Sequence, residues 1–224
     1  PSAWSVLAAL VWKDLVAEWR TRETLLPMAL FAGLILVVFQ FSFSPGERIA
    51  SLTPGFLWVS ILFGAVLGLN RSFLAEKEFD ALRGVLLAPI DRGWIFLGKC
   101  IANLAFLVTM EAFVLGLAAL LLSAPVMGHL PSLVTVILLC TLGLAAVGTL
   151  FSVMATNTRI QEVMLPLLLF PIWVPVLLGG VAMTETILAG HSLSELSFWI
   201  NLVLVYDGVF LVLGFLVFDW LIEE

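Results

Sequence analysis

The most suggestive stretch for chemistry is "GWIFLGKC", residues 93–100. It nearly spells the phosphate-binding loop G-x-x-x-x-G-K-[ST], with Cys100 where the hydroxyl residue belongs. A working loop of this kind follows a strand and opens a helix, so that its backbone N–H groups cradle phosphate. Here the intervening residues are Trp, Ile, Phe and Leu, no strand-like run precedes them, and a long apolar stretch follows at once. The match therefore reads as coincidence, with Lys99 a snorkelling anchor and Trp94 an interfacial aromatic residue. This chain is not expected to hydrolyse ATP.

Two carboxylates are the next candidates. Glu111 in "VTMEAFVLG" and Asp207 in "LVYDGVFLVLG" sit mid-way along apolar runs, where an ionisable group is costly and is a functional candidate by default. They are expected to bias a conformational switch, to relay protons, or to make a polar contact between helices. His129 and His191 are the only histidines, and both are expected in external loops, where they could ligate haem iron. Lone loop histidines more often serve as ordinary polar residues. Cys100 and Cys140 lie in apolar, lipid-facing runs and offer neither a disulfide framework nor metal-ligand spacing. No nucleophile–base pair and no metal cluster is evident, so an intramembrane enzyme is disfavoured.

The elements that must hold these residues are membrane helices. Of 224 residues, 62% are hydrophobic and 12% charged, against about 25% charged in an ordinary soluble domain. A span needs about 20 mostly apolar residues. Six stretches qualify: about 25–43, 55–73, 100–123, 131–154, 163–183 and 198–219. Nine of the ten basic residues fall before the first span or in the loops after the second and fourth. That bias places both termini in the cytoplasm and the loops 44–54, 124–130 and 184–197 outside. The first two dozen residues do not read as a signal peptide. No basic patch with interleaved aromatics is present, so nucleic acid is not an expected partner.

Residues 2–20 read as an amphipathic helix at the bilayer surface, with Trp4, Ala8, Val11, Trp12, Leu15 and Trp19 on its apolar stripe. Lys13 and Arg20 lie opposite, and Glu18 intrudes at the stripe's edge. Pro27 favours a bend or break at the start of the first span. Trp58, Trp94, Trp199 and Trp220 near span ends read as belt anchors. Pro166, Pro171 and Pro175, followed by two glycines, lead us to expect broken or re-entrant geometry near 171–183. Gly64, Gly68, Gly143 and Gly148 fit close helix approach.

The cytoplasmic stretch 74–99 opens with a helical pattern. Phe79, Leu82 and Leu86 form one face, while Glu76, Lys77, Glu78, Asp80 and Arg83 supply a charged one. Pro89 ends it. A helix of this kind can dock in a groove of a soluble partner.

The segments "TPGFLWVSILFGAVLGLNRSF", "EKEFDALRGVLLAPIDRGWIFLGK" and "VMLPLLLFPIWVPVLL" together resemble the CcmB family, the membrane permease subunits of the cytochrome c maturation ABC transporter. The resemblance extends over essentially the whole chain. One departure is "DALRG" in place of the more usual D/E-G-x-L-E of the coupling motif. The resemblance implies an all-α integral membrane protein with six transmembrane helices in a single permease domain of the ABC-2 type. The 2–20 segment would be its interface helix. Residues 76–88 would be its coupling helix, with Glu76, Glu78, Phe79, Asp80, Leu82 and Arg83 contacting the ATPase. It further implies the partners CcmA, the ATPase, with CcmC, CcmD and the haem chaperone CcmE, in the bacterial inner membrane. ATP would bind the partner subunit, haem would be the transported or handled ligand, and a homodimer is compatible. The activity implied is haem export or release of haem-loaded CcmE. The alternatives are an ABC-2 exporter of another substrate and a proton-coupled secondary transporter.

Overall fold

A computed structural model describes residues 3–42, 49–78, 91–121, 126–156 and 161–223. Seven α-helices account for most of them: α1 (Ala3–Thr21), α2 (Leu25–Ser42), α3 (Ile49–Glu78), α4 (Arg92–Leu121), α5 (Leu130–Thr156), α6 (Gln161–Leu188) and α7 (Ser197–Glu223). Short 3-10 turns, Met127–His129 and Leu193–Leu196, precede α5 and α7. Helices α2 to α7 contain six segments long and apolar enough to cross a membrane. They run alternately up and down. One end of the bundle carries the loops rich in Lys and Arg and is called the basic end below.

The third span differs from its expected start. It begins at Arg92 rather than near residue 100, so "GWIFLGKC" lies wholly within α4. Asp91 caps this helix, its carboxylate accepting from the Gly93 amide at 2.8 Å. A phosphate loop is thereby replaced by an ordinary helical first turn.

Two helices carry the interior. α5 packs against α3, α4, α6 and α7, and α4 packs against α1, α2, α3, α5 and α7. Leu144, Ala145, Ala146 and Val147 are all buried, so this stretch of α5 is enclosed all round and apolar on every side. Gly143 and Gly148 let neighbours approach it closely: a Cβ at Gly148 would strike Leu69 of α3, and one at Gly143 would strike Asp207 and Tyr206 of α7. Cys100 and Cys140 are buried inside this packing, not turned to lipid.

The proline-rich span is also unlike its expectation. α6 runs unbroken from Gln161 to Leu188 through Pro166, Pro171 and Pro175. The Tyr206 hydroxyl of α7 donates to the Ile172 carbonyl at 2.9 Å, beside the ladder positions that the prolines weaken. Proline is tolerated in a spanning helix where its neighbours pack around it, and this helix does not break.

The junction of α1 and α2 breaks at Arg22, which adopts φ 54°, not at Pro27. Pro27 occupies the first turn of α2, where its missing N–H costs nothing. The two faces of α1 have different surroundings. Trp4, Trp12 and Trp19 are 70%, 69% and 79% exposed, while Leu7, Leu10 and Glu18 are buried. The tryptophan stripe faces away from the bundle. A second stripe, at positions 7, 10, 14 and 18, faces α4.

Candidate functional site

Two polar regions stand out, one in the middle of the bundle and one at its basic end.

The central region is built on α5. Glu111 lies ten residues before the end of α4, Asp207 ten residues after the start of α7, and Thr141 eleven after the start of α5. At 1.5 Å rise per residue these positions share one depth, about 15 Å from the end opposite the basic one. Glu111 and Asp207 are each 2% exposed. The Thr141 hydroxyl lies 2.7 and 2.8 Å from the two Glu111 carboxylate oxygens, and 2.7 Å from the Ile137 carbonyl. A hydroxyl has one proton, so Glu111 receives at most one hydrogen bond from it at any moment. Asp207 receives none: neither oxygen has a partner among the described residues. Its carboxylate lies against Gly143, on the side of α5 away from Glu111. Cys140 stands between them, within electrostatic reach of both.

The region at the basic end is built from contacts that tie one helix to another. Lys99 of α4, 3% exposed, donates to Asp14 of α1 at 2.6 Å. It is a buried tie between two helices and not the snorkelling anchor that its sequence context suggests. Glu18 accepts from the amides of Thr24 (3.0 and 3.2 Å) and Leu25 (2.7 Å), closing the exposed N–H groups at the start of α2. Arg71 of α3 donates to the Glu23 carbonyl at 3.0 Å, and Arg92 pairs with Asp219 of α7 at 3.2 Å. These contacts clamp the helix ends from which residues 79–90 leave and to which they return. The backbone of Glu76 and Glu78 continues α3. Phe79, Asp80, Leu82 and Arg83 lie outside the described residues.

The remaining candidates are dispersed. His129 ends the 3-10 turn before α5, and exposed His191 lies 3.1 Å from Glu195. Among the described residues, no group of three or more His, Cys, Asp or Glu is placed to hold a metal. Of the tryptophans, Trp58 is no belt residue. It is 1% exposed, and its indole N–H donates to Thr184 of α6 at 3.0 Å. Trp94 is half-buried and packs edge-on against Trp4 at 5.3 Å and Phe215 at 6.2 Å. Trp220 is exposed, as a belt residue should be.

Sequence reasoning picked out Glu111 and Asp207 but missed Asp14, Glu18, Lys99, Thr141 and the role of Gly143. A signal for the first two was present: Leu7, Leu10, Asp14 and Glu18 follow i, i+3, i+7, i+11 spacing, a single helical face.

Comparison with known proteins places this geometry in a family. The family model described as "CcmB protein" matches residues 5–218. A protein of Pseudomonas aeruginosa named heme exporter protein B is 26% identical over 182 residues, covering 81% of each chain. Its namesake in Paracoccus denitrificans is 32% identical over 159 residues, covering 67% of this chain and 69% of its own. A third, from Rhodobacter capsulatus, is 30% identical over 158 residues, covering 69% and 71%.

Proposed function

The chain belongs to the CcmB family, and from that premise we propose that it couples ATP hydrolysis on a separate subunit to haem handling in cytochrome c maturation. It is a multi-pass, non-catalytic membrane component of a haem export system, by the family match over residues 5–218 and by relatives named heme exporter protein B. That match is the observation that carries the reading.

The finer assignments are ours. The ATPase is CcmA, it docks on residues 76–88 from the cytoplasm, and CcmC, CcmD and haem-loaded CcmE complete the assembly. Both termini are cytoplasmic. The charge bias supports this, with nine of ten basic residues at one end. The clamp supports a route for force. A push on residues 79–90 reaches the ends of α3 and α4. Those ends are tied through Arg71 to the α1–α2 junction, through Lys99 to α1, and through Arg92 to α7. α4 then conveys the displacement to the packed seam with α5.

The test is co-purification of the ATPase with this chain, and its ATPase rate with and without haem-loaded chaperone. Reversing Asp80 and Arg83 together is expected to abolish stimulation by the chaperone while the six-helix bundle remains intact. Unchanged stimulation rejects the coupling assignment. A second reading is favoured by the two buried carboxylates: proton-coupled transport without a nucleotide-hydrolysing partner. It requires cytochrome c maturation to persist in an ATPase-inactive strain and to stop when the proton gradient is collapsed.

A further inference from the structure

Among the described residues, two grooves on the outside of the bundle differ in chemistry. The groove between α2 and α3, about 320 Å³, is lined by Phe31, Leu34, Val38, Phe63 and their neighbours, all apolar. Acyl chains match such a surface fully. The groove between α4 and α5, about 380 Å³, runs from the level of Glu111 to Met127 and has Glu111 among its lining residues. Ala112 and Gly116, four residues apart on α4, form its floor, and a Cβ at Gly116 would meet nothing within 4 Å.

We propose that this α4–α5 groove is the seat of a transmembrane helix from a partner subunit, one that carries a hydrogen-bond donor at the depth of Glu111. Three observations converge on it. Small residues four apart on an exposed helix face are what lets a second helix approach closely in lipid. A carboxylate has about four acceptor positions, and Thr141 fills at most one at a time, so Glu111, a residue of the groove lining, has acceptor capacity left. Depth then selects the occupant. Glu111 lies about 15 Å below the end of α4, whereas the hydroxyl, phosphate and ammonium groups of lipids stay at the interface. Only a side chain on a spanning helix brings a donor to that level.

A second copy of this chain fits less well. A symmetric contact through this groove would bring two Glu111 carboxylates toward each other. The exposed hydroxyls on the same helices, Thr109 and Thr135, already donate to the Ala105 and Pro131 carbonyls. The complementary element is therefore a foreign helix with a hydroxyl, amide, indole, ammonium or guanidinium donor. This inference rests on the groove and is independent of which ATPase docks at residues 76–88.

The test is photo-crosslinking from benzoylphenylalanine placed at Leu138, on the α5 wall, in the full chain within its native membrane. Adducts are mapped by mass spectrometry. The expected product joins Leu138 to a span of a different polypeptide, within one turn of a donor side chain. Glu111→Leu is expected to lower its yield about tenfold, the value of one hydrogen bond in lipid. The same probe at Leu34, in the α2–α3 groove, is expected to give lipid adducts only. Lipid adducts alone at Leu138, a cross-link to a second copy, a cross-link to a span without a donor, or a yield indifferent to Glu111→Leu each overturns the proposal. Should Glu111→Leu fail to accumulate, Gly116→Leu fills the floor without touching the carboxylate and is read the same way. Co-purification of the ATPase is scored in the same samples, so failure of the groove proposal is told apart from failure of the coupling assignment.

Discussion

The basic end of the bundle and its middle use the same residue types under opposite rules. At the basic end Asp14 has Lys99, Glu18 has two amides, and Asp219 has Arg92. In the middle, Glu111 has one shared hydroxyl and Asp207 has nothing among the described residues. Cations explain part of the contrast. In the sequence, nine of the ten basic residues fall before the first span or after the second and fourth, because lysine and arginine in lipid must stay near water. An acid at mid-depth has no such neighbour to draw on. The paired region behaves as a fastening, whereas the under-partnered one departs from the rule that buried polar groups are satisfied, as functional sites often do.

The largest effect that can break this comparison lies in the fastening. Asp14→Ala removes the carboxylate from a Lys99 side chain that is 4% exposed. Breaking a buried pair from one side costs about 3–5 kcal/mol, since the remaining charge stays in a poorly solvated place. Lys99→Met is expected to cost less, because Asp14 keeps Lys13 at 3.1 Å. Thermal unfolding of the purified chain in detergent, run as an Asp14/Lys99 double-mutant cycle, measures both. Equal and small losses would mean that the basic end is no more fastened than the middle.

A middle-sized effect tests the packing beneath Asp207. Gly143→Leu drives a side chain into the Asp207 carboxylate and the Tyr206 ring. Overpacking of this kind costs about 1–3 kcal/mol. The loss is expected to shrink when Asp207→Ala is added, since the two changes share one space and cannot be additive. Additive losses in unfolding experiments would show that Gly143 answers to some other contact.

What the sequence disclosed follows from the range of the forces involved. Span hydrophobicity is local, so six helices and the charge bias between their ends were readable, as were the mid-span acids. Which face of a helix turns inward was not readable where both lipid and core are apolar. In α1 the tryptophans made the more conspicuous stripe, yet the face that packs on α4 holds Leu7, Leu10, Asp14 and Glu18. Lys99 and Asp14 are 85 residues apart, and no periodicity links them. The prolines of α6 read locally as a break, but the helix is packed against α3, α5 and α7 and runs through them. Trp58 near a span end read as a belt residue for the same reason: Thr184, its partner, is 126 residues away.

The smallest expected effect is the most informative about the middle. Asp207→Asn preserves shape beside Gly143 and removes an acid that no described residue supports. With no partner to lose, the folded bundle should lose no stability, and a neutral amide costs less to bury than an ionised carboxylate. The expectation is an unfolding temperature equal to or above that of the parent, next to the large drop for Asp14→Ala. If Asp207 matters for work rather than for folding, cytochrome c maturation should fall while stability holds. A drop in stability comparable to that of Asp14→Ala would instead reveal a partner for Asp207, and the distinction between a fastened end and an unfastened middle would no longer stand. Retained stability with retained maturation would leave that distinction in place and show that maturation does not depend on the Asp207 carboxylate.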